Sequence, residues 1–289
     1  MVEPAQRGPH APPKRFAVTG AAGFLGAATV RRLAALPGAE VVAAIDIQPS
    51  VVSGGTMPVV SVIRDVRAPL EDILRDYEIE AVIHLAYMLR TSRDRRAAWS
   101  VNVGATGARL KGCAAAGVAQ VVYLSSTTVY GAHRSYTRPY LETDPANPVR
   151  GFQYSEQKVE AESLLLHHAA GHPETAVAVL RGCVVMAAGA DNFIARSLGR
   201  RTLPVPAGAD PEMQFLHVDD YVSAVEAALT RRARGVYNIA GDGTVRWREM
   251  VRMAGGRLLP VPVPVLTGVI GLTWRLRLQD QSPACGINF

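Results

Sequence analysis

Short apolar runs alternate with amphipathic stretches from residue 15 onward. Arg15-Phe16-Ala17-Val18-Thr19 is an apolar run that ends at a glycine. Residues 24–36 carry apolar side chains at helical spacing closed by Pro37-Gly38, so the chain opens as strand, tight turn, helix. The alternation repeats, with strands predicted at 41–45, 59–63, 81–85, 121–124 and 176–180 and helices at 70–77, 98–116 and 154–168. Strands and helices taking turns in this way predict an α/β fold with a doubly wound parallel sheet. Past Arg181 the pattern loosens into pieces punctuated by Gly and Pro. Helices are expected there near 193–198, 219–229 and 247–254, with a short strand at 236–239. These pieces are expected to form a smaller C-terminal substrate-binding region, 182–289, after a main domain at 14–181 and a disordered Pro-rich tail at 1–13.

Composition narrows the classes of function. Of 289 residues, 48% are hydrophobic and 19% charged, which excludes the disordered and fibrous classes. Lys+Arg 31 against Asp+Glu 25 gives a net +6, yet the basic residues are scattered and no nucleic-acid motif interleaves them with aromatics. A phosphate-bearing small molecule accounts for that balance, and no nucleic-acid partner is expected. Cys113, Cys183 and Cys285 are far apart and form no C-x-x-C pair, which argues against a disulfide framework or a zinc site and for a reducing cytoplasm. No metal is expected; His167, His168 and His172 gather at a helix end, where the helix dipole accounts for them. The start of the chain lacks the apolar core of a signal peptide, and no run nears the roughly 18 apolar residues of a spanning helix. Residues 258–272 are apolar but broken by Pro260, Pro262 and Pro264, so a soluble protein is expected.

Chemistry enters at the first turn. Thr19-Gly20-Ala21-Ala22-Gly23-Phe24-Leu25-Gly26 spaces glycines three apart between strand and helix: Gly20 for the turn, Gly23 for approach of a pyrophosphate, Gly26 for close helix–strand packing. Glycine is also common in turns for structural reasons alone. Asp46 ends the second strand at the offset where a carboxylate bonds the adenosine ribose, although an acidic residue at a strand end is the alternative reading. A 2′-phosphate beside Asp46 would cost on the order of a few kcal/mol at an effective dielectric near 20, and Ile47-Gln48-Pro49 brings no arginine to offset it. The Rossmann-like site therefore prefers NAD to NADP.

Tyr154-Ser155-Glu156-Gln157-Lys158 opens a predicted helix, and the four-residue spacing puts Tyr154 and Lys158 on one face. Lysine occurs otherwise only at Lys14 and Lys111. An ammonium about 4 Å from a phenol is worth roughly 4 kcal/mol at a dielectric near 20, about three pKa units, which would make Tyr154 a general base. In isolation the pair reads equally as an ordinary helical tyrosine with a solvated lysine. The run Val121-Val122-Tyr123-Leu124, however, leads into Ser125-Ser126-Thr127-Thr128-Val129-Tyr130-Gly131, which puts hydroxyls at the ligand-binding edge of the sheet.

Taken together, Thr19 to Gly26, Asp46, Asp65-Val66, His84-Leu85-Ala86, Asn102, Ser125 to Gly131, Tyr154 with Lys158, and Phe215 to Asp220 resemble the extended short-chain dehydrogenase/reductases of the NAD-dependent epimerase/dehydratase family. The resemblance spans almost the whole chain. It implies that Gly20, Gly23, Phe24, Leu25, Gly26, Asp46 and Ile47 bind NAD, with Asp65 and Val66 at the adenine and Leu85 and Ala86 along the pyrophosphate and ribose. It gives Asn102 the ordering of the active-site helix and its water, and His217 a structural role. In the implied reaction Tyr154 takes a proton from a substrate hydroxyl as hydride leaves to NAD, Lys158 holds the ribose, and Ser126 steadies the developing carbonyl, with Thr127 and Asn192 at the substrate.

The chain also departs from that family. Sugar-nucleotide 4,6-dehydratases carry Thr-Asp-Glu where Ser126-Thr127-Thr128 stands, so the carboxylates for water elimination are missing. Val184 and Met213 replace an Asn and a basic residue that often grip a diphosphate, which would suit a less polar ligand. Relatives usually run on past the position of Phe289, so a short lid or a truncated chain is expected. Arg90, Arg93, Arg95 and Arg96 follow the fourth strand and read as a solvated loop or an anion clamp. The leading expectation is an epimerase-like enzyme acting on a sugar or nucleotide-sugar hydroxyl. A net dehydrogenase or ketoreductase for a small or apolar alcohol is second, and a non-catalytic NAD-binding regulator third. The resemblance further implies a homodimer packed through the helices predicted at 98–116 and 154–168.

Overall fold

A computed structural model describes residues 11–50, 58–88, 94–132, 138–190 and 192–276. Arg90, Arg93, Cys285, residues 1–10 of the expected tail and the chain end lie outside them. The first half runs β1 (Arg15–Thr19), α1 (Phe24–Ala34), β2 (Val41–Asp46), β3 (Val59–Ile63), α2 (Glu71–Asp76), β4 (Ala81–His84), α3 (Arg95–Trp99), α4 (Ala105–Ala116) and β5 (Gln120–Ser126). It continues through α5 (Gln153–Gly171) and β6 (Ala176–Gly182). The remainder comprises β7 (Val184–Met186), α6 (Phe193–Leu198), β8 (Thr202–Pro206), β9 (Glu212–Met213), β10 (Phe215–His217), α7 (Val218–Thr230), β11 (Gly235–Ile239), β12 (Val245–Arg246), α8 (Trp247–Met253), β13 (Arg257–Val261) and α9 (Val263–Arg275).

Seven parallel strands form the central sheet in the order β11-β6-β5-β4-β1-β2-β3. The chain leaves β1 toward β2 and β3, then returns to β4 on the other side. A crevice opens at this switch, past the carboxyl ends of β1 and β4. Strands buried on both faces read as unbroken apolar runs, which is why the sequence pattern located them. Phe16 and Val18 turn to one face, where Val30 and Leu33 of α1 and Tyr221, Val225 and Leu229 of α7 cover them. Ala17, Ala43 and Ile45 turn to the other, against Leu70, Leu74, Leu110, Ala161 and Leu165.

Residues past Arg181 are not wholly separate from this sheet. The strand expected at 236–239 is β11, which extends the sheet beside β6, and α7 packs on α1. A smaller core of Ile194, Leu203, Val205, Trp247 and Val251 lies under three two-stranded ladders, β10 with β7, β12 with β9 and β13 with β8. Among the described residues no helix is long and apolar enough to cross a membrane.

The helix expected over 98–116 is interrupted. Between α3 and α4, Ser100–Gly104 forms a π-turn in which Ala105 N–H donates to the Ser100 carbonyl, five residues back. Such wide turns favour functional sites. Asn102 sits inside this one.

Candidate active site

At the turn after β1, Gly20 adopts φ +74°. A Cβ there would lie 2.7 Å from the Ala86 amide nitrogen, and one on Gly26 would lie 2.0 Å from the Gly20 carbonyl oxygen. Both positions admit glycine only. A Cβ on Gly23 would meet nothing nearer than the Gly20 oxygen at 3.3 Å, so the protein's own packing accounts for Gly23 less fully than for its neighbours. Gly23 is also the N-cap of α1 and offers no side-chain acceptor to the first-turn amides of Phe24, Leu25 and Gly26. A pyrophosphate fits both facts, because helix N-termini present unpaired N–H groups and a positive dipole end.

Asp46 closes this crevice from β2. Its Oδ2 accepts from the Ala22 N–H at 3.1 Å and its Oδ1 from the Gln48 N–H at 3.2 Å, while Ile47 beside it is 66% exposed. Asp65 follows β3 and is forked by Arg67, with Nε at 3.1 and 3.0 Å and Nη2 at 2.5 Å, which holds its carboxyl below the usual range. Val66 beside it is buried.

The ends of β1 and β4 are tied by a buried polar chain with one proton order. Thr106 donates its hydroxyl to the Asn102 carbonyl at 3.1 Å, so its oxygen accepts from His84 Nε2–H at 3.0 Å. His84 Nδ1 then accepts from the Thr19 hydroxyl at 2.7 Å, and Thr19 Oγ1 accepts from the Ala86 N–H at 3.3 Å. Leu85 N–H completes the corner on the Thr19 carbonyl at 3.1 Å. Burial pushes the His84 imidazole down to about 3, with the Lys158 and Arg109 charges adding to the effect. Asn102 clamps the next turn of chain: Oδ1 accepts from Met88 N–H at 2.7 Å, and Nδ2 donates to the Met88 carbonyl at 3.3 Å and to Gln157 Oε1 at 2.8 Å.

Opposite, α5 supplies Tyr154 and Lys158. Lys158 Nζ donates to the Leu124 carbonyl at 2.6 Å and to the Tyr123 hydroxyl at 3.3 Å, and lies 4.1 Å over the centroid of the Tyr87 ring. It is 5.9 Å from the Tyr154 ring centroid. Its charge is therefore aimed at the end of β5 rather than at the phenol, which differs from the expectation of a lysine that lowers Tyr154. Burial raises the Tyr154 phenol, and the Ser126 hydroxyl works against that rise. Burial pulls the Lys158 ammonium down to about 7, opposed by the Glu162 carboxylate. Ser126 Oγ accepts from Thr128 N–H at 3.2 Å and from the Thr128 hydroxyl at 3.0 Å, and Thr127 opens the short 3-10 turn Thr127–Tyr130. The structure thus brings Ser126, Tyr154 and Lys158 together at the carboxyl end of β5.

Tyr87 and Gln157 escaped the sequence reading. The Tyr87 hydroxyl lies 3.2 Å from both the Tyr154 carbonyl and Gln157 Oε1, and its ring meets Tyr154 edge-on at 5.2 Å. The only signal was an aromatic directly after His84-Leu85-Ala86.

Toward the C-terminal region the picture differs more. Asn192 caps α6: Oδ1 accepts from Ala195 N–H at 2.9 Å and Nδ2 donates to the Val185 carbonyl at 2.9 Å, so its amide serves the backbone. Val184 and Met213 pack against the smaller core. His217 caps α7, accepting from Asp219 N–H at 3.3 Å. Arg95 reaches Glu156 at 3.8 Å, in solvent.

A family model described as NAD dependent epimerase/dehydratase matches residues 16–240. The chain belongs to this family. An uncharacterized protein of Mycobacterium bovis is 30% identical over 260 residues, covering 87% of this chain and 68% of the relative. A dTDP-glucose 4,6-dehydratase of Streptomyces griseus is 30% identical over 263 residues, 81% of this chain and 75% of its own. The solved structure of MoeE5 in complex with UDP-glucose and NAD superposes with TM-score 0.73 at 29% identity, covering 86% of this chain and 85% of that one. Membership makes the chain an NAD-dependent enzyme of Rossmann-like fold. The crevice fits NAD: Gly20 and Gly26 keep the turn free of side chains, Gly23 leaves the α1 N-terminus open, and Asp46 presents its carboxylate beside that turn.

Two outcomes follow. Gly26→Ala drives a methyl into the Gly20 carbonyl, and NAD affinity should fall at least tenfold by calorimetry, with a lower melting temperature. His84, neutral in the fold but protonated in the unfolded chain below about 6.5, should cost stability as pH falls from 6.5 toward 3, by about 1.4 kcal/mol per pH unit. His84→Asn should remove that component, so urea midpoints at pH 7 and pH 4.5 should differ less in the variant than in the wild type.

Proposed function

We propose that this enzyme is epimerase-like and acts on a hydroxyl of a sugar or sugar nucleotide by transient oxidation. The observation that carries the reading is the gathering of Ser126, Tyr154 and Lys158 at the carboxyl end of β5, with Lys158 fixed to the Leu124 carbonyl and the Ser126 hydroxyl bonded to Tyr154. Nucleotide sugars are supported by the relatives, one named a dTDP-glucose dehydratase and one solved with UDP-glucose. Elimination of water is disfavoured, because Ser126-Thr127-Thr128 offers hydroxyls where that chemistry needs carboxylates.

NAD, when bound, supplies a hydride acceptor that can return what it takes. Gly20, Gly23 and the α1 N-terminus would hold its pyrophosphate, Asp46 a ribose, Asp65 and Val66 the adenine, and Lys158 the second ribose. Tyr154, as its phenolate, would take the proton of the substrate hydroxyl and, as the phenol, give it back; the Ser126 hydroxyl favours that phenolate against burial beside Tyr87 and Phe152. Ser126, its oxygen already oriented by two bonds from Thr128, donates its own hydroxyl proton to the reacting oxygen. The net-dehydrogenase reading drew on the apolar Val184 and Met213, and their packing into the smaller core leaves it less supported. The proposal also takes the enzyme to be a cytoplasmic homodimer joined through α4 and α5.

Tyr154→Phe should lower turnover on nucleotide sugars about 10²- to 10⁴-fold while native mass spectrometry shows NAD retained as in the wild type; an active variant would remove Tyr154 from the chemistry. Light scattering at micromolar concentration should give twice the 30.9 kDa of one chain, and a monomer mass would refute the dimer.

A further inference from the structure

Glu162 lies on α5 one turn beyond Lys158 and two beyond Tyr154, so the three share a helix face. It is 3% exposed, and its carboxylate is fully engaged. Arg181 of β6 donates from Nε to both oxygens at 3.1 Å and from Nη2 to Oε2 at 2.6 Å, and Ser125 of β5 donates its hydroxyl to Oε1. Arg181 Nη1 donates to the Tyr130 hydroxyl at 2.7 Å, which donates to Asn238 Oδ1 of β11 at 2.7 Å. Asn238 Nδ2 then holds the Tyr140 carbonyl at 3.1 Å, in the segment leading from β5 to α5.

A buried ion pair is expensive to assemble and is poor evidence of stability in itself. This one holds the strand end that the site uses: Leu124 receives the Lys158 ammonium, Ser125 is tied to Glu162, and Ser126 follows directly. We propose that Glu162 is a positioning residue whose carboxylate, held by Arg181 and Ser125 one helical turn from Lys158, keeps the Lys158 side chain at the Leu124 carbonyl and fixes the strand end carrying Ser126. The inference deepens the proposed function and rests on its reading of Lys158 and Ser126. Around Lys158 the ionisable groups are Tyr87 and His84 from the β4 side, Tyr123 from β5, and Tyr154 and Glu162 from α5, with Arg181 behind Glu162. Glu162 contributes the carboxylate that opposes loss of the Lys158 proton.

The chain has three lysines, Lys14, Lys111 and Lys158, so ligand-free protein labelled at lysine ¹³Cε should give three resolved NMR titrations. In Glu162→Gln the Lys158 midpoint should fall by about one pH unit, a tenfold change in its ionisation constant, while Lys14 and Lys111 keep theirs. An unmoved Lys158 midpoint overturns the proposal. If that variant fails to fold, Glu162→Asp, which keeps the ion pair but retracts the carboxylate, should give a smaller fall of the same sign, and an unmoved midpoint there overturns it equally. No substrate or NAD is added, so a wrong substrate assignment, exposed by Tyr154→Phe, leaves this titration readable.

Discussion

The first helix crosses the first strand with nothing between them but hydrogen atoms, because Gly26 has no carbon where the Gly20 carbonyl sits. Every other part of the crevice depends on that contact. It aims the α1 N-terminus across the sheet edge and sets Gly20 against Ala86 at the end of β4. It also carries the Ala22 amide within reach of Asp46. A close backbone crossing has no slack, since neither side has a rotamer to change.

The two halves of the site are stabilised differently. Around the glycine turn the restraints are steric and come from the backbone. Around Tyr154 and Lys158 they are polar and buried, with His84, Asn102 and Glu162 each satisfied by partners from elements far apart in sequence. Such networks reward completeness, because a single unpaired member in low dielectric costs more than the bond it lost. The first half can thus shape a site for a common cofactor while the second holds Ser126, Tyr154 and Lys158 in fixed relation to one another.

Much of this arrangement was legible in the chain. Parallel strands buried on both faces leave continuous apolar runs, and the glycine spacing marked the tight turn between β1 and α1 that Asp46 reaches. The i, i+4 spacing of Tyr154 and Lys158 correctly predicted a shared helix face but not the direction of the ammonium, which follows the Leu124 carbonyl supplied by another element. Glu162 continued the same spacing, yet its partners Arg181 and Ser125 come from two strands, and spacing carries no information across strands. The packing of Val184 and Met213 against the smaller core was not legible, because the ladders that carry them are two or three residues long and leave no periodic trace. The π-turn was invisible for the same reason, being a change in hydrogen-bond partner and not in composition.

That turn also has a bearing on chain length. A residue advances a regular helix by about 100°, so the extra residue in Ser100–Gly104 puts α3 and α4 out of phase by that angle. The phase shift is what lets Asn102 face the Met88 backbone and Gln157 while Leu110 and Cys113, further along, still face the sheet. A family member one residue shorter at this point would have the smoother helix and would lose the clamp. The extra residue thus trades a more regular helix for the orientation of Asn102.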